Sequence, residues 1–336
     1  MTAHEAMSLE GAVTRSASSI RRVGVTNRSD LRYVSLSVNR IGGVVDSKEL
    51  LESRRYLSEI SVWPRPNRLD LSGWVENFDE GRDTEIALAL LEAHVHMDEQ
   101  QIKYAVASTI RDISSRDEFG LASDRPANWD RFIQDVVFSF PLSRSGDSTA
   151  SGYIFGRVVE SLGFNENRII DSEHLVGHLH KSGPLPVVFL DDLAASGTQF
   201  TRNWKRNYPK GSGSVSLEQL ASDGQMATVY YSPLVSTQVA KDRIESECGV
   251  TVVPTYVLDE DYSVLSEDTR LVPNRLRQYV PDFLAKYAPR TGRDEYGFAG
   301  YGDLGLALSF HHSCPNNTVP VLQPGSVAQN WRPWST

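Results

Sequence analysis

The chain has 336 residues, of which 40% are hydrophobic, and a formal net charge of −9. The apolar content is sufficient for a large buried core, and the acidic balance argues against a protein that coats nucleic acid through many Lys and Arg contacts. No apolar run approaches the roughly 18 residues that a membrane-spanning helix needs, and residues 1–11 lack the basic and apolar blocks of a signal peptide, so we expect a cytoplasmic protein with no membrane contact. Cys248 and Cys314 lack the spacing of a metal or redox pair, which predicts reduced thiols.

The first 40 residues are rich in arginine and show little hydrophobic periodicity. The arginines are Arg15, Arg21, Arg22, Arg28, Arg32 and Arg40. We expect residues 1–65 to form an extension that is partly disordered or docks a partner, with a short strand at 32–38 and a helix that starts near Asp46 and ends before Pro64. A nucleic-acid contact through the arginine-rich stretch is the alternative.

Residues 66–125 are predicted to be a helical region. A helix rich in Ala, Leu and Glu is followed by a second helix that begins at Asp98, whose side chain can cap it together with Gln101. Apolar residues recur every three or four positions along the second helix and predict a packed face. His94 and His96 are two positions apart, and we expect one buried and one exposed imidazole.

Near residue 126 the pattern changes to that of an α/β domain, which we expect to extend to residue 336. A buried strand at 135–140 is followed by a loop rich in Ser and Gly and by a helix at 153–162. A strand, a polar loop and a helix N-terminus in this order can bind an anion, although an ordinary surface loop has the same composition.

The stretch 186–200 carries the strongest functional signal. Four apolar residues lead into Asp191 and Asp192 and then into a turn of small residues, which is typical of a strand buried on both faces that ends at a ligand site. Gly197 can adopt a positive φ, and the surrounding amides can hold a phosphate if a helix follows. The pattern favours a sugar-phosphate site with a bound metal. A core strand followed by a solvated turn is the alternative.

The elements after this stretch alternate between helix and strand. We predict helices at 200–208, 237–247 and 269–287, and strands at 227–235 and 250–258. Such alternation implies a parallel, doubly wound sheet.

The C-terminal stretch 300–320 combines a predicted strand at 304–310 with a dense polar segment. The segment contains His311, His312, Cys314, Pro315, Asn316, Asn317 and Thr318. Amide and hydroxyl groups on a proline-braced loop can contact a base edge or a phosphate. A turn that satisfies its own backbone groups is the alternative.

The strand, acidic pair and Gly-containing loop at 186–200 resemble the signature of the type I phosphoribosyltransferases. The resemblance implies a Rossmann-like α/β fold with a mostly parallel sheet and flanking helices, to which this chain adds its N-terminal helical region. It also implies that the acids hold ribose hydroxyls and that Ser196, Gly197 and Thr198 hold the 5-phosphate of phosphoribosyl pyrophosphate. In that family the loop after the first core strand binds pyrophosphate. The candidate residues in this loop are Arg144, Ser151 and Gly152.

With the C-terminal stretch included, the chain from about residue 74 to 334 resembles one branch of that fold. This branch is the phosphoribosyltransferase-like domain of bacterial conflict systems, the PRTase-CE type, which is found beside anti-phage modules including some retrons. The shared features are the Asp-Asp strand, a small-Ser-Gly-x-Gln loop and a His that precedes Pro-Asn-Asn-Thr. The resemblance implies an anti-phage effector held by a protein partner such as a reverse transcriptase complex. Nucleic acid would be contacted only through that partner or the arginine-rich N-terminus.

We therefore expect an enzyme that binds phosphoribosyl pyrophosphate or a nucleotide with Mg²⁺ and acts at the ribose C1. Asp191 and Asp192 are the expected metal and ribose ligands, and together with His312 as an acid or base they are the expected catalytic residues. The expected base-binding residues are Asn316, Asn317 and Thr318.

The alternative is a non-catalytic nucleotide-binding sensor or scaffold in a defence complex. Type I enzymes usually carry hydroxyl side chains at the positions of Ala195 and Gln199, although a Gln is ordinary in the conflict-system branch. Two fewer hydroxyl contacts to a phosphate favour binding without turnover.

Overall fold

The computed structural model describes residues 47–116, 125–142, 150–325 and 328–335. The helices are α1 (Ser47–Glu59), α2 (Leu71–Val75), α3 (Arg82–Ala93), α4 (Glu99–Ser114), α5 (Arg125–Asp135), α6 (Ala150–Ser161), α7 (Ser172–Ser182), α8 (Thr198–Lys205), α9 (Leu217–Ser222), α10 (Gln238–Cys248), α11 (Asn274–Arg277) and α12 (Val280–Thr291). The strands are β1 (Val95–Met97), β2 (Val137–Ser139), β3 (Leu185–Ala194), β4 (Asn207–Lys210), β5 (Gly213–Ser216), β6 (Met226–Thr237), β7 (Thr251–Val252), β8 (Tyr256–Leu258) and β9 (Leu308–Phe310). Within these ranges no helix is long and apolar enough to span a membrane. The predicted strand at 32–38 and the arginine-rich stretch lie outside the described residues.

The central sheet is parallel and has the order β2-β3-β6-β7, with β8 pairing farther along β6. Ile169 forms a parallel bridge to Phe138 on the other edge of β2. The chain therefore leaves β2 in one direction through α6 and returns through α7 to β3 on the opposite side. This reversal makes the sheet doubly wound, which confirms the predicted α/β fold class.

Both faces of the sheet are buried, and this explains the unbroken apolar run in β3. Val188 and Leu190 pack into a core formed with α4, α5 and α6, whereas Val187 and Phe189 pack into a core formed with α7 to α10. All four side chains are at most 1% exposed. Because successive strand residues point to opposite faces, a strand covered on both sides needs an apolar residue at every position.

A separate core joins the N-terminal helices α1 to α3 with α11, α12 and the C-terminal segment. The indole Nε1 atoms of Trp74 and Trp334 are buried in it and donate to the Val321 and Leu322 carbonyls at 2.9 and 2.7 Å. The two-stranded parallel sheet β1–β9 also joins these parts of the chain. The division of the chain near residues 65 and 125 stays a prediction.

Several element boundaries differ from those predicted, for identifiable reasons. The strand predicted at 250–258 is interrupted between β7 and β8, where Pro254 has no N–H to donate to the ladder. The helix predicted at 269–287 begins only after Pro273 and is divided into α11 and α12, with a proline in the first turn of α12. The hairpin β4–β5 occupies 207–216, where the end of a helix and a loop were predicted.

Both His94 and His96 are buried, so the prediction that one of them is exposed is wrong. His94 is 2% and His96 8% exposed, because His94 ends α3 and His96 lies in β1 beside β9. Their ring nitrogens share the hydroxyl of Ser309, at 2.8 Å from His94 Nε2 and 3.0 Å from His96 Nδ1. Burial is the main cause that lowers the pKa of both imidazoles, and it lowers that of His96 to about 4.

Candidate functional site

The candidate site lies where the strand order reverses. The carboxyl ends of β2 and β3 are neighbours there, and the chain leaves them in opposite directions around the sheet. In open α/β sheets this is the crevice in which ligands bind. Asp191 and Asp192 lie near the carboxyl end of β3. The two residues that follow them, Leu193 and Ala194, are still paired with β6.

Asp191 is held inside the sheet. It is 4% exposed, its Oδ2 accepts a hydrogen bond from the Tyr231 hydroxyl at 2.9 Å, and its Oδ1 accepts one from the Asp192 amide at 3.0 Å. Burial, followed by the neighbouring charge of Asp192, raises the pKa of Asp191 well above its ordinary value. Burial and Asp191 likewise raise the pKa of Tyr231, so the phenol remains a donor to the carboxylate.

Asp192 points to the other face of β3 and is partly exposed. Its Oδ1 accepts a hydrogen bond from the Leu193 amide at 2.8 Å. Its Oδ2 accepts one from the Ser313 hydroxyl at 3.1 Å and lies 3.3 Å from Nε2 of His312. A segment more than 100 residues away in sequence therefore completes the surroundings of this carboxylate.

The imidazole of His312 is fixed by aromatic neighbours. It stacks on Phe310 with ring centroids 5.7 Å apart and meets the edge of Phe155 at 6.0 Å, and its side chain is 3% exposed. Within the described residues, Nδ1 has no hydrogen-bond partner. If Nε2 carries the proton toward Asp192, Nδ1 is left as an acceptor. This arrangement is suited to an oriented acid or base.

The candidate phosphate loop links β3 to α8. Gly197 has φ = 73° and caps α8, which begins at Thr198. The Ser196 hydroxyl lies 3.0 Å from Thr198 Oγ1 and accepts a bond from the Thr198 amide at 3.4 Å. Arg243 of α10 donates to Thr198 Oγ1 at 3.0 Å and to the Ser196 carbonyl at 3.3 Å. The loop thus presents the first turn of a helix, whose unpaired amides attract anions.

The same helix also holds the chain that leaves β2. Asn203 of α8 accepts a hydrogen bond from the Leu142 amide at 3.0 Å and one from the Tyr208 hydroxyl at 2.7 Å. Ser172 donates to the Phe140 carbonyl at 2.7 Å. These buried contacts fix residues 140–142, from which the predicted pyrophosphate loop departs. Arg144 lies outside the described residues, the side chain of Ser151 is likewise not described, and Gly152 is buried in α6.

The polar C-terminal segment uses two of its predicted base-binding side chains internally. Nδ2 of Asn317 donates to the Tyr301 carbonyl at 2.7 Å, and the buried hydroxyl of Thr318 donates to the Leu308 carbonyl at 2.5 Å. Asn316 is exposed, and its carbonyl accepts from the Tyr301 amide. The role of these three residues in base binding stays a prediction, and their contacts hold the segment that carries His312.

The acidic pair has the donor chemistry that Mg²⁺ prefers. Carboxylate oxygens are hard ligands, and Mg²⁺ sites often use one or two carboxylates together with substrate phosphates and water. Asp192 is the more accessible of the two, whereas both oxygens of Asp191 already accept hydrogen bonds. In the described part of the chain no group of three His, Cys, Asp or Glu side chains could hold a metal by itself. A site that is completed by substrate oxygens fits these residues.

Three residues that contact the site were not predicted from the sequence. Tyr231 and Ser313 contact the acidic pair, and Arg243 contacts the phosphate loop. A tyrosine within the predicted strand at 227–235 was a weak signal, since a phenol that becomes buried needs a partner. Arg243 and Ser313 had no local signal, because their partners lie more than 40 residues away.

A doubly wound parallel sheet with an acidic pair at its switch point and a Gly-capped helix after it defines a phosphoribosyltransferase-like α/β protein. Residues 71–335 match the family described as PRTase-CE. The chain belongs to this family, and its function is accordingly phosphoribosyl-related. No curated protein matches the chain.

Proposed function

We propose that the protein is an effector of a bacterial anti-phage defence system that binds phosphoribosyl pyrophosphate or a nucleotide with Mg²⁺ and acts at the ribose C1. This proposal is supported mainly by the contacts of Asp192 with His312 and Ser313 at the carboxyl end of β3. The loop that caps α8 follows directly after this strand. Sugar, phosphate and proton-transfer groups then have separate positions within one crevice.

The residues have distinct chemical tasks in this proposal. Asp192 accepts hydrogen bonds from ribose hydroxyls, and its negative charge stabilises the positive charge that develops at C1 as the bond to the leaving group breaks. The amides around Ser196, Gly197 and Thr198 hold the 5-phosphate. His312, oriented by Asp192, exchanges a proton with the leaving or attacking group. Bound Mg²⁺ would supply positive charge to the phosphate oxygens, with the acidic pair as its protein ligands.

The most direct test is metabolite profiling after expression of the wild type and of Asp192→Asn. We expect the wild type to deplete a nucleotide or phosphoribosyl pyrophosphate pool, and Asp192→Asn to lose at least about 100-fold of this activity, because a charge that stabilises the transition state is removed. Asp130→Asn, an exposed acid on α5, is the matched control and should behave as the wild type does. Full activity in Asp192→Asn would refute the proposed chemistry.

The cellular role is the part of the proposal that rests on the resemblance to conflict-system proteins. We propose that the protein acts in the cytoplasm, is restrained by a partner such as a reverse transcriptase complex, and contacts nucleic acid only through that partner or its arginine-rich N-terminus. Deletion of residues 1–40 tests the N-terminal route. If partner binding remains intact, the N-terminus is not the docking segment.

A nucleotide sensor or scaffold is the second candidate, and the environment of Asp191 favours it. Both oxygens of this carboxylate are occupied by Tyr231 and the Asp192 amide, and Ala195 and Gln199 offer no hydroxyl to a phosphate. Calorimetric titration with phosphoribosyl pyrophosphate and Mg²⁺, combined with an assay for its consumption, separates the two. Binding without consumption identifies a sensor.

A further inference from the structure

A basic depression lies beside the phosphate loop, on the outer surface of α8 and α10. It has a volume of about 470 Å³. Its lining consists of Thr198, Thr201, Arg202, Lys205, Arg206 and Arg243. Four of these six side chains are cationic, on a chain whose net charge is −9. The local charge is therefore opposite to that of the whole molecule.

Glu247 balances part of the charge of this cluster. Glu247 of α10 pairs with Arg243 at 2.8 Å and lies 3.6 Å from the ammonium group of Lys205. Arg202 is exposed on α8, and it has no ion pair within the described residues. The depression retains an excess of positive charge, and it is suited to an anion with more than one negative charge.

The depression is continuous with the phosphate loop. Thr198 both lines it and forms the first residue of α8 after Gly197. Arg243 bonds to Thr198 Oγ1 and to the Ser196 carbonyl, so its guanidinium connects the loop to the depression. An eight-residue helix is about 12 Å long. A ligand phosphate at the N-terminus of α8 would therefore have Arg202 and Lys205 within about two turns along the helix surface.

We infer that this depression binds the phosphates that extend beyond the first phosphate of the substrate. The inference rests on the proposed function, because it places a 5′-phosphate on the loop at Ser196 to Thr198. It identifies the substrate class as nucleotides with a 5′-polyphosphate, in preference to nucleoside 5′-monophosphates. The volume is that of a site for a small ligand, which lies between about 300 and 1,000 Å³, and the acidic chain as a whole disfavours a nucleic-acid strand as the occupant.

Calorimetric titration of the full-length protein tests this inference. The probes are the four ribonucleoside 5′-monophosphates and the four 5′-triphosphates, each with Mg²⁺, and a 5′-phosphorylated oligonucleotide. We expect one triphosphate to bind at least tenfold more tightly than its monophosphate. Arg202→Gln/Lys205→Gln should bring this ratio close to one. Arg111→Gln/Lys181→Gln removes two exposed positive charges elsewhere and should keep the ratio.

The outcomes distinguish a failure of the proposed function from a failure of the role proposed for the depression. If Asp192→Asn keeps the activity of the wild type, the proposed function fails, whatever the ratio of the two affinities is. If Asp192→Asn loses activity but the ratio survives Arg202→Gln/Lys205→Gln, only the role of the depression is overturned. A wild type that binds none of the eight nucleotides, or that prefers the oligonucleotide and loses it in the Arg202→Gln/Lys205→Gln variant, also overturns the inference.

Discussion

Asp191 and Asp192 are neighbours in sequence and have opposite surroundings. Because successive side chains of a strand point to opposite faces, Asp191 meets Tyr231 in one core layer while Asp192 meets His312 and Ser313 on the other side. One acid is buried and resists ionisation, and the other remains accessible to a ligand. Unequal environments of this kind allow two carboxylates in one site to hold different protonation states.

The buried carboxyl should reduce stability at neutral pH. Its folded pKa lies above the unfolded value, so the contribution of Asp191 to stability is fully present below the unfolded pKa and is lost as the pH rises through the folded pKa. We expect Asp191→Asn to have an unfolding free energy at pH 8 at least equal to that of the wild type, with a smaller difference at pH 5. Urea unfolding of both proteins at the two pH values measures this difference in unfolding free energy. The prediction is contradicted if raising the pH from 5 to 8 destabilises Asp191→Asn more than it destabilises the wild type.

At the scale of single elements, α8 organises the site. Its N-terminus follows the phosphate loop, its buried residue Asn203 holds the chain that leaves β2, and its outer face lines the basic depression. One short helix therefore contacts both the phosphate loop and residues 140–142, which follow β2. Substitutions in α8 can affect ligand binding without any contact to the ligand.

Gly197 provides a test of the loop geometry. Its φ of 73° disfavours any side chain, and an added Cβ would lie 3.2 Å from both the Ala240 carbonyl and Ile244. We expect Gly197→Ala to lose about 1–3 kcal/mol of unfolding free energy and to weaken binding of phosphoribosyl pyrophosphate, as measured by urea unfolding and calorimetry.

Gly249→Ala is the matched control for that substitution. Gly249 caps α10 with φ = 64°, and an added Cβ meets no atom within 4 Å. It should lose only about 1 kcal/mol from left-handed strain and keep the affinity. Equal affinity losses in the two variants would show that the loop geometry is not the cause.

Asn203 tests the link between α8 and β2. Asn203→Ala leaves the Leu142 amide without its buried acceptor, whereas the Tyr208 hydroxyl loses its bond to Asn203 Oδ1 but keeps the Asn203 carbonyl at 3.3 Å. An unsatisfied buried group costs about 1–3 kcal/mol, so we expect a loss of about 2–3 kcal/mol in urea unfolding. Tyr208→Phe keeps the acceptor of the Leu142 amide and should lose about 1 kcal/mol. If both variants lose the same amount, the amide of Leu142 does not depend on Asn203.

At the scale of the whole molecule, the site combines residues of the central sheet with residues of the C-terminal segment. The sheet supplies the acidic pair, and the C-terminal segment, which is anchored with the N-terminal helices, supplies His312 and Ser313. The β1–β9 pair joins the C-terminal segment to the chain that follows α3, and the buried hydroxyl of Ser309 joins His94 to His96 there. The catalytic histidine of our proposal stacks on Phe310 of β9, so its position depends on this pairing.

The burial of His96 in this strand pair should lower the stability of the protein at acidic pH. The folded pKa of His96 is about 4, below its ordinary value of 6.5, because burial disfavours the charged ring. The unfolded chain binds the extra proton first, so the contribution of His96 to stability is complete above pH 6.5 and is lost as the pH falls toward 4. Urea unfolding between pH 8 and 4.5 should show that His96→Asn reduces this loss by roughly 2–3 kcal/mol, whereas His180→Asn, an exposed control, leaves it unchanged. If the unfolding free energy depends on pH in the same way in the wild type, His96→Asn and His180→Asn, this account is refuted.

The sequence alone determined the alternation of helix and strand, the doubly buried β3, the capped start of α4 and the loop at Gly197. These features depend on local composition: an apolar run, a capping residue, or a glycine where φ must be positive. The resemblance of the acidic strand to phosphoribosyltransferases also came from a contiguous stretch. The roles of the individual residues in that stretch stay predictions.

Only the tertiary structure decided which side chains meet. It separated the environments of Asp191 and Asp192, placed His312 beside Asp192 and His311 beside Glu99, and brought Arg243 to the phosphate loop. It also showed that β1 is a strand, because its partner β9 is about 200 residues away in sequence. Local patterns cannot encode such contacts, since they arise from packing between segments that are brought together only when the chain folds.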